Sequence, residues 1–223
     1  DNNAEGSTAE PFTSATFSNM TFLGPKVFDA NFQNTTDYLD GGKMNPGNGS
    51  STGRFQAGMH LRRNTRLNCY NSVVAGWPIG LILDSEKGNT QKAATDGLLQ
   101  LHRIVFAGTD ITGSDFNKVY KDELYDYKTK TTDPSKKSFS SMFFLLPANG
   151  NKVVDQWVAR SWQGILSIIA ASTSVGGALQ GSFAELQSNN WFDKSATFVG
   201  AFRDASDDWT AGWANFDPEN TIY

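Results

Sequence analysis

The sequence predicts an all-β protein built as a parallel β-helix-like solenoid, with one capping helix and an aromatic-rich C-terminal tail. Three observations lead there. The composition is turn-rich and poor in charge, with 21 glycines, 13% aromatic residues and 19% charged residues in 223, a balance that suits many short strands better than long helices. A glycine-closed segment occurs three times in the first half. One stretch alone, residues 153–172, shows a helical period. The length suits a single large domain: coils over 1–110, a polar loop region over 111–152, the helix, and terminal strands with the tail over 173–223.

Phe17-Ser18-Asn19-Met20-Thr21-Phe22-Leu23-Gly24 aligns with Cys69-Tyr70-Asn71-Ser72-Val73-Val74-Ala75-Gly76 and with Leu101-His102-Arg103-Ile104-Val105-Phe106-Ala107-Gly108. Each copy is a β-rich run closed by a residue free to take positive φ and redirect the chain. The glycines stand 52 and 32 residues apart. With roughly 20 to 30 residues per coil, these gaps read as two coils and as one coil with a loop. Further strands are expected at Met59–Arg63, Thr65–Cys69 and, after the Trp77-Pro78 turn, Ile79–Asp84. A sandwich would show similar strand spacing.

Between the strands, residues 40–53 are rich in glycine and are expected to project as a loop, with a shorter one over 84–96. Residues 115–137 carry charges of mixed sign and read as solvated surface, with Asp133-Pro134 as a turn. From Val153 the apolar residues Val154, Trp157, Val158, Trp162, Ile165, Leu166 and Ile169 fall on one helical face opposite Asp155, Gln156, Arg160 and Gln163. A solenoid exposes an apolar cross-section where it stops. This helix is expected either to lid that end or to pack beside the strands.

The charge balance, 23 acidic against 19 basic residues for a net −4, supplies no field for holding a polyanion, so no nucleic-acid partner is expected. No apolar run approaches the roughly 20 residues of a membrane span, so no transmembrane segment is expected. The chain opens on Asp1-Asn2-Asn3 with neither methionine nor leader, and any targeting segment is expected to lie upstream. Cys69 is the single cysteine and reads as a packed thiol. His60 and His102 lack ligand spacing, so neither a metal site nor a cofactor is expected.

Several segments together are similar to the C-terminal part of a family of Bacteroidetes surface or secreted proteins, often mislabelled "multidrug transporter". They are Asp1-Asn2-Asn3-Ala4, FSNMTFLGP at Phe17–Pro25, HLRRNTRLNCYNSVVAGWPIGLILD at His60–Asp84, FVGAF at Phe198–Phe202 and DWTAGWANFDPENTIY at Asp208–Tyr223. The resemblance covers most of residues 1–110 and 181–223. It implies a right-handed parallel β-helix-like fold, export as a lipoprotein or secretion to the cell surface, and upstream coils belonging to a longer chain. It transfers no catalytic residue.

Three residue sets invite a functional reading. Arg62, Arg63 and Arg66, with Arg54 and His60, crowd a short stretch; outward arginines bind carboxylated sugars through bidentate forks, or else pair with nearby acids and stack on aromatics. Asp37, Asp40, Asp84 and Asp110 fall on different coils and could gather a calcium for a polysaccharide lyase. Trp191, Trp209, Trp213, Phe216 and Tyr223 concentrate ring area near the C-terminus, as a sugar platform or as a staple holding the tail. No Gly-x-Ser-x-Gly elbow or phosphate loop occurs. The expected function is a non-catalytic structural or binding module touching a polysaccharide or cell-surface glycan through Arg62, Arg63, Arg66, Trp209 and Trp213. The alternative is a polysaccharide lyase or glycoside hydrolase on the same scaffold.

Overall fold

The computed structural model describes residues 10–28, 57–115, 123–126, 131–154, 165–216 and 218–221. The loop expected over 40–53 lies outside them, as do Asp37, Arg54, Trp157, Trp162 and Tyr223. In chain order the strands are β1 (Thr16–Ser18), β2 (Thr21–Leu23), β3 (Ala57–Arg62), β4 (Asn68–Tyr70), β5 (Val73–Ala75), β6 (Ile79–Asp84), β7 (Gln100–His102), β8 (Val105–Ala107), β9 (Ile111–Ser114), β10 (Glu123–Asp126), β11 (Thr131–Lys137) and β12 (Lys152–Val154). The helices are α1 (Pro25–Phe28), α2 (Thr90–Thr95), α3 (Phe139–Phe144) and α4 (Ile165–Gly176). No described helix is long and apolar enough to cross a membrane.

Most strands are parallel and fall into three sheets: β1-β4-β7, β12-β8-β5-β2 and β3-β6-β9; β10 and β11 form a separate antiparallel pair. The chain visits first, second and third sheet in turn and repeats that order through β9. The repeated segments pair in the register read from sequence. Phe17 faces Cys69 and Cys69 faces Leu101, while Phe22 faces Val74 and Val74 faces Phe106. The corner glycines extend these ladders, Gly24 N donating to Ala75 O and Gly76 N to Ala107 O, both at 2.8 Å. Gly76 and Gly108 are left-handed (φ 69° and 60°). Gly24 is not. It is required for a different reason, because a Cβ there would stand 2.4 Å from the carbonyl oxygen of Gly76.

The central strands of the second sheet, β5 and β8, are apolar throughout and fully buried because both faces are covered. The middle residues of the sheet's strands, Phe22, Val74, Phe106 and Val153, join the main core with Cys69, Leu101, Met59, Leu81 and Leu83. The flanking Val73, Ala75, Val105 and Ala107 pack outward with Val175 of α4 and Val199 of the tail.

A fourth copy of the repeat ends in β12, which pairs with β8 through Val153 and Phe106. The region expected as a polar loop over 111–152 is largely structured. It holds β9 of the third sheet, the β10–β11 pair, α3 and β12. Asp133-Pro134 lies within β11 and does not form a turn. Pro134 falls between the pairs Glu123–Lys137 and Leu124–Asp133, where the ladder shifts register and its missing N–H leaves no gap.

The helix expected over 153–172 is displaced. Its first residues belong to β12, and the described helix runs from Ile165 to Gly176, covering the outer face of the second sheet. The strands expected after residue 173 are also absent among the described residues, where the tail is irregular chain of turns and bends with short 3-10 turns at Ala184–Leu186 and Pro218–Asn220.

The structure places α3 against the end of the strands. Its serines close the open edge of β9: Ser138 and Ser141 Oγ donate to Gly113 O at 3.1 and 3.3 Å, Ser140 Oγ donates to Ser114 O at 3.1 Å and accepts from Leu83 N at 2.9 Å. Ser138 also caps the helix, accepting from Ser141 N at 3.0 Å. Phe144 stacks on Phe106 with centroids 3.8 Å apart.

Candidate functional site

Arg62 and Arg66 have partners within the chain. Arg62 ends β3 with Nε 4.0 Å from the buried Asp84, and Asp84 Oδ2 lies 3.2 Å from His60 Nε2. Burial opposes the charge on Asp84, yet the His60 hydrogen bond, the Glu86 amide and the nearby cation outweigh it and lower its pKa. Arg63 occupies the left-handed turn after β3 together with Asn64. Arg66 lays its guanidinium over the Phe12 ring at 4.0 Å. Asp110 pairs with Lys26, and among the described residues no group of His, Cys, Asp and Glu has the makings of a metal site. Burial pushes the Cys69 thiol up to about 11, in keeping with a packed role.

The tail is held by a column of corner residues that sequence reading passed over. Asn19, Asn71 and Arg103 occupy equivalent positions between the first and second sheets and all are left-handed (φ 52°, 47° and 55°), a conformation Asn accepts more readily than most residues. Their side chains point at the returning tail. Asn19 Nδ2 donates to the carbonyls of Ala196 and Phe198 at 3.1 and 2.6 Å. Asn71 Oδ1 accepts from Ser182 N at 3.0 Å and from Arg103 Nε at 3.2 Å. Arg103 also donates to Ser182 O and grips the Glu185 carboxylate through both terminal nitrogens. The signal available in the sequence was asparagine at two aligned positions.

His102 stacks on Tyr70 and places Nδ1 3.4 Å from Glu185 Oε1. Burial lowers the His102 pKa although Glu185 pulls it upward. Glu185 is also lowered: burial works against the shift, and its bonds to Arg103 prevail. A lowered pKa means that the unfolded chain binds the extra proton more readily, so both groups, like Asp84, withdraw stability as pH falls. Stability in urea melts is expected to be flat from the ordinary histidine value of about 6.5 up to about pH 8, to decline below that plateau as His102 titrates, and to decline again below about 4.3. His102→Gln should remove the upper step and Glu185→Gln part of the lower one. A stability that rises on acidification from pH 7 would contradict the assignment.

Trp209 and Trp213 come together on the far side of this tail. Asp208 Oδ1 accepts from Thr210 N and Oγ1 at 3.2 and 2.6 Å, curling the chain so that residues four apart share a face. Trp209 Nε1 donates to Ala201 O at 2.7 Å and Trp213 Nε1 to Trp209 O at 3.0 Å. The ring centroids are 5.5 Å apart, and Trp209 rests 6.0 Å from the buried Phe202. The two residues remain 52% and 68% exposed. No protein-family model, curated protein or solved structure matches the chain. The arginines sit at the other corner, between third and first sheets, so the two halves of the sequence-predicted site do not meet. Docking of the tail is carried by its backbone, by the Glu185 carboxylate, by Val199 and by Phe202, which packs with Ile168 and Ile169. Trp191 is 95% exposed and staples nothing.

Proposed function

We propose that the protein is a non-catalytic binding module of an exported bacterial surface protein, on a right-handed parallel β-helix-like scaffold, and that Trp209 and Trp213 form its glycan platform. Support for the scaffold comes from the repeated three-sheet order and the unbroken parallel register from pass to pass. Support for export, a surface location and further coils upstream is the resemblance of the His60–Asp84 and Asp208–Tyr223 segments to the Bacteroidetes surface family.

One observation carries the binding reading. Two indoles have their N–H groups tied to backbone carbonyls, which fixes the rings, while the residues stay 52% and 68% exposed. Rigid exposed rings present stacking area to a sugar at little entropic cost. Trp213→Ala is expected to weaken binding to a cognate oligosaccharide about tenfold while leaving the melting temperature nearly unchanged, as at most surface positions. Glycan-array screening followed by calorimetry on the hits is the measurement. A marked fall in melting temperature with no glycan hit for the parent protein would reduce the rings to a staple. Shortening of a bound polysaccharide would assign the scaffold to a lyase or hydrolase.

A further inference from the structure

Resting on the glycan reading, we infer that the cleft beside the tryptophan platform takes a carboxylate-bearing sugar unit, anchored by Arg203. The cleft, about 380 Å³, lies between the C-terminal end of α4 and the returning tail, with Gly176, Gln180, Thr197, Phe198, Phe202 and Arg203 in its walls. That volume falls within the range of small-ligand sites. One wall is closed by direct approach of helix and tail: a Cβ on Gly176 would stand 2.1 Å from Val199 O. Phe202 belongs to the cleft and to the platform at once, since Trp209 rests against it and Trp213 follows. The indole platform and the cleft therefore share Phe202 as a common wall, and adjoining units of one sugar chain are proposed to occupy both.

Arg203 sets the chemistry. It is the cation in the cleft wall, its guanidinium 5.5 Å from the centroid of the Phe198 ring, and it forms no salt bridge among the described residues. The acids around it are engaged in their own turns. Asp207 accepts from the Arg203 amide, Asp204 from Ser206, Asp208 from Thr210 and Asp193 from Ser195. The neighbouring Lys194 donates to the carbonyls of Leu186, Gln187 and Asn189. The surrounding carboxylates are solvent-exposed and screened at physiological salt. A guanidinium near an aromatic ring offers a planar fork to two carboxylate oxygens, an arrangement that neutral sugar hydroxyls match less well.

The experiment compares oligomers of galacturonate, glucuronate and mannuronate with their carboxyl-reduced neutral counterparts, by calorimetry at fixed ionic strength, on the parent protein, Arg203→Met and Trp213→Ala. At least one uronate is expected to bind about tenfold more tightly than its reduced counterpart. Arg203→Met should abolish that preference at an unchanged melting temperature, and Trp213→Ala should weaken both ligands. Equal binding of acidic and neutral oligomers, or a preference surviving in Arg203→Met, overturns the role of Arg203 and leaves the platform standing. Failure of every oligomer to bind the parent protein overturns the platform and the cleft together.

Discussion

Phe144→Ala is expected to destabilise the protein by about 3–5 kcal/mol, the range for removing a buried phenylalanine from a packed core. Phe144 is fully buried and stacks on Phe106, the third residue of the column formed with Phe22 and Val74. Truncation would open a cavity under that column and loosen α3, whose serines complete the hydrogen bonds of the β9 edge. Such a loss approaches the whole stability of many domains. Phe144→Leu, expected to cost about 1–2 kcal/mol, keeps the comparison measurable if the alanine variant does not fold. Urea denaturation gives both numbers. A cost below about 1 kcal/mol for Phe144→Ala would mean that α3 does not close the core.

Asn71→Ala is expected to cost about 3 kcal/mol and to release the tail. Two terms add. An alanine at φ 47° carries a left-handed penalty of about 1–2 kcal/mol. Loss of Oδ1 leaves the Ser182 amide and Arg103 Nε without that acceptor, costing about 1–3 kcal/mol when the groups stay buried. Asn71→Gly separates the terms, since glycine restores the backbone freedom and not the acceptor; it should recover about 1 kcal/mol. Limited proteolysis provides the second readout, with cleavage expected in residues 177–216 of the alanine variant before the strands are cut. If the variant melts like the parent and resists protease equally, the corner column does not hold the tail.

The parallel pairing was legible because three copies share length, apolar pattern and a closing glycine, and a parallel ladder pairs such equivalent positions directly. The fourth copy escaped notice because Asp155 replaces the closing glycine and a 3-10 turn at Pro147–Asn149 precedes it. Helix α3 was hidden by its serines, which look like loop composition until the open edge of β9 supplies their partners. Val153 and Val154 fitted a helical period because three strand residues are too few to define one. The arginines stood out by local charge density, whereas their partners come from other parts of the chain, Asp84 from the next strand of the sheet and Phe12 from upstream of β1. Arg203 drew no attention for the opposite reason: it is a solitary cation in sequence, and its cleft exists only once the tail lies against α4.

The corner column also dictates an order of events during folding. Partners in the three parallel sheets are separated by 22 to 52 residues, whereas the bonds from Asn19 and Asn71 to the tail span 111 to 179. Long loops must close before such contacts return any free energy, which slows the search. The groove that receives the tail is assembled from three separate passes, so there is nothing for residues 182–201 to grip until those passes have paired. Latching of the C-terminal segment is therefore expected as a late kinetic phase, and the cover that Val199 adds to Val73 and Val105 arrives with it.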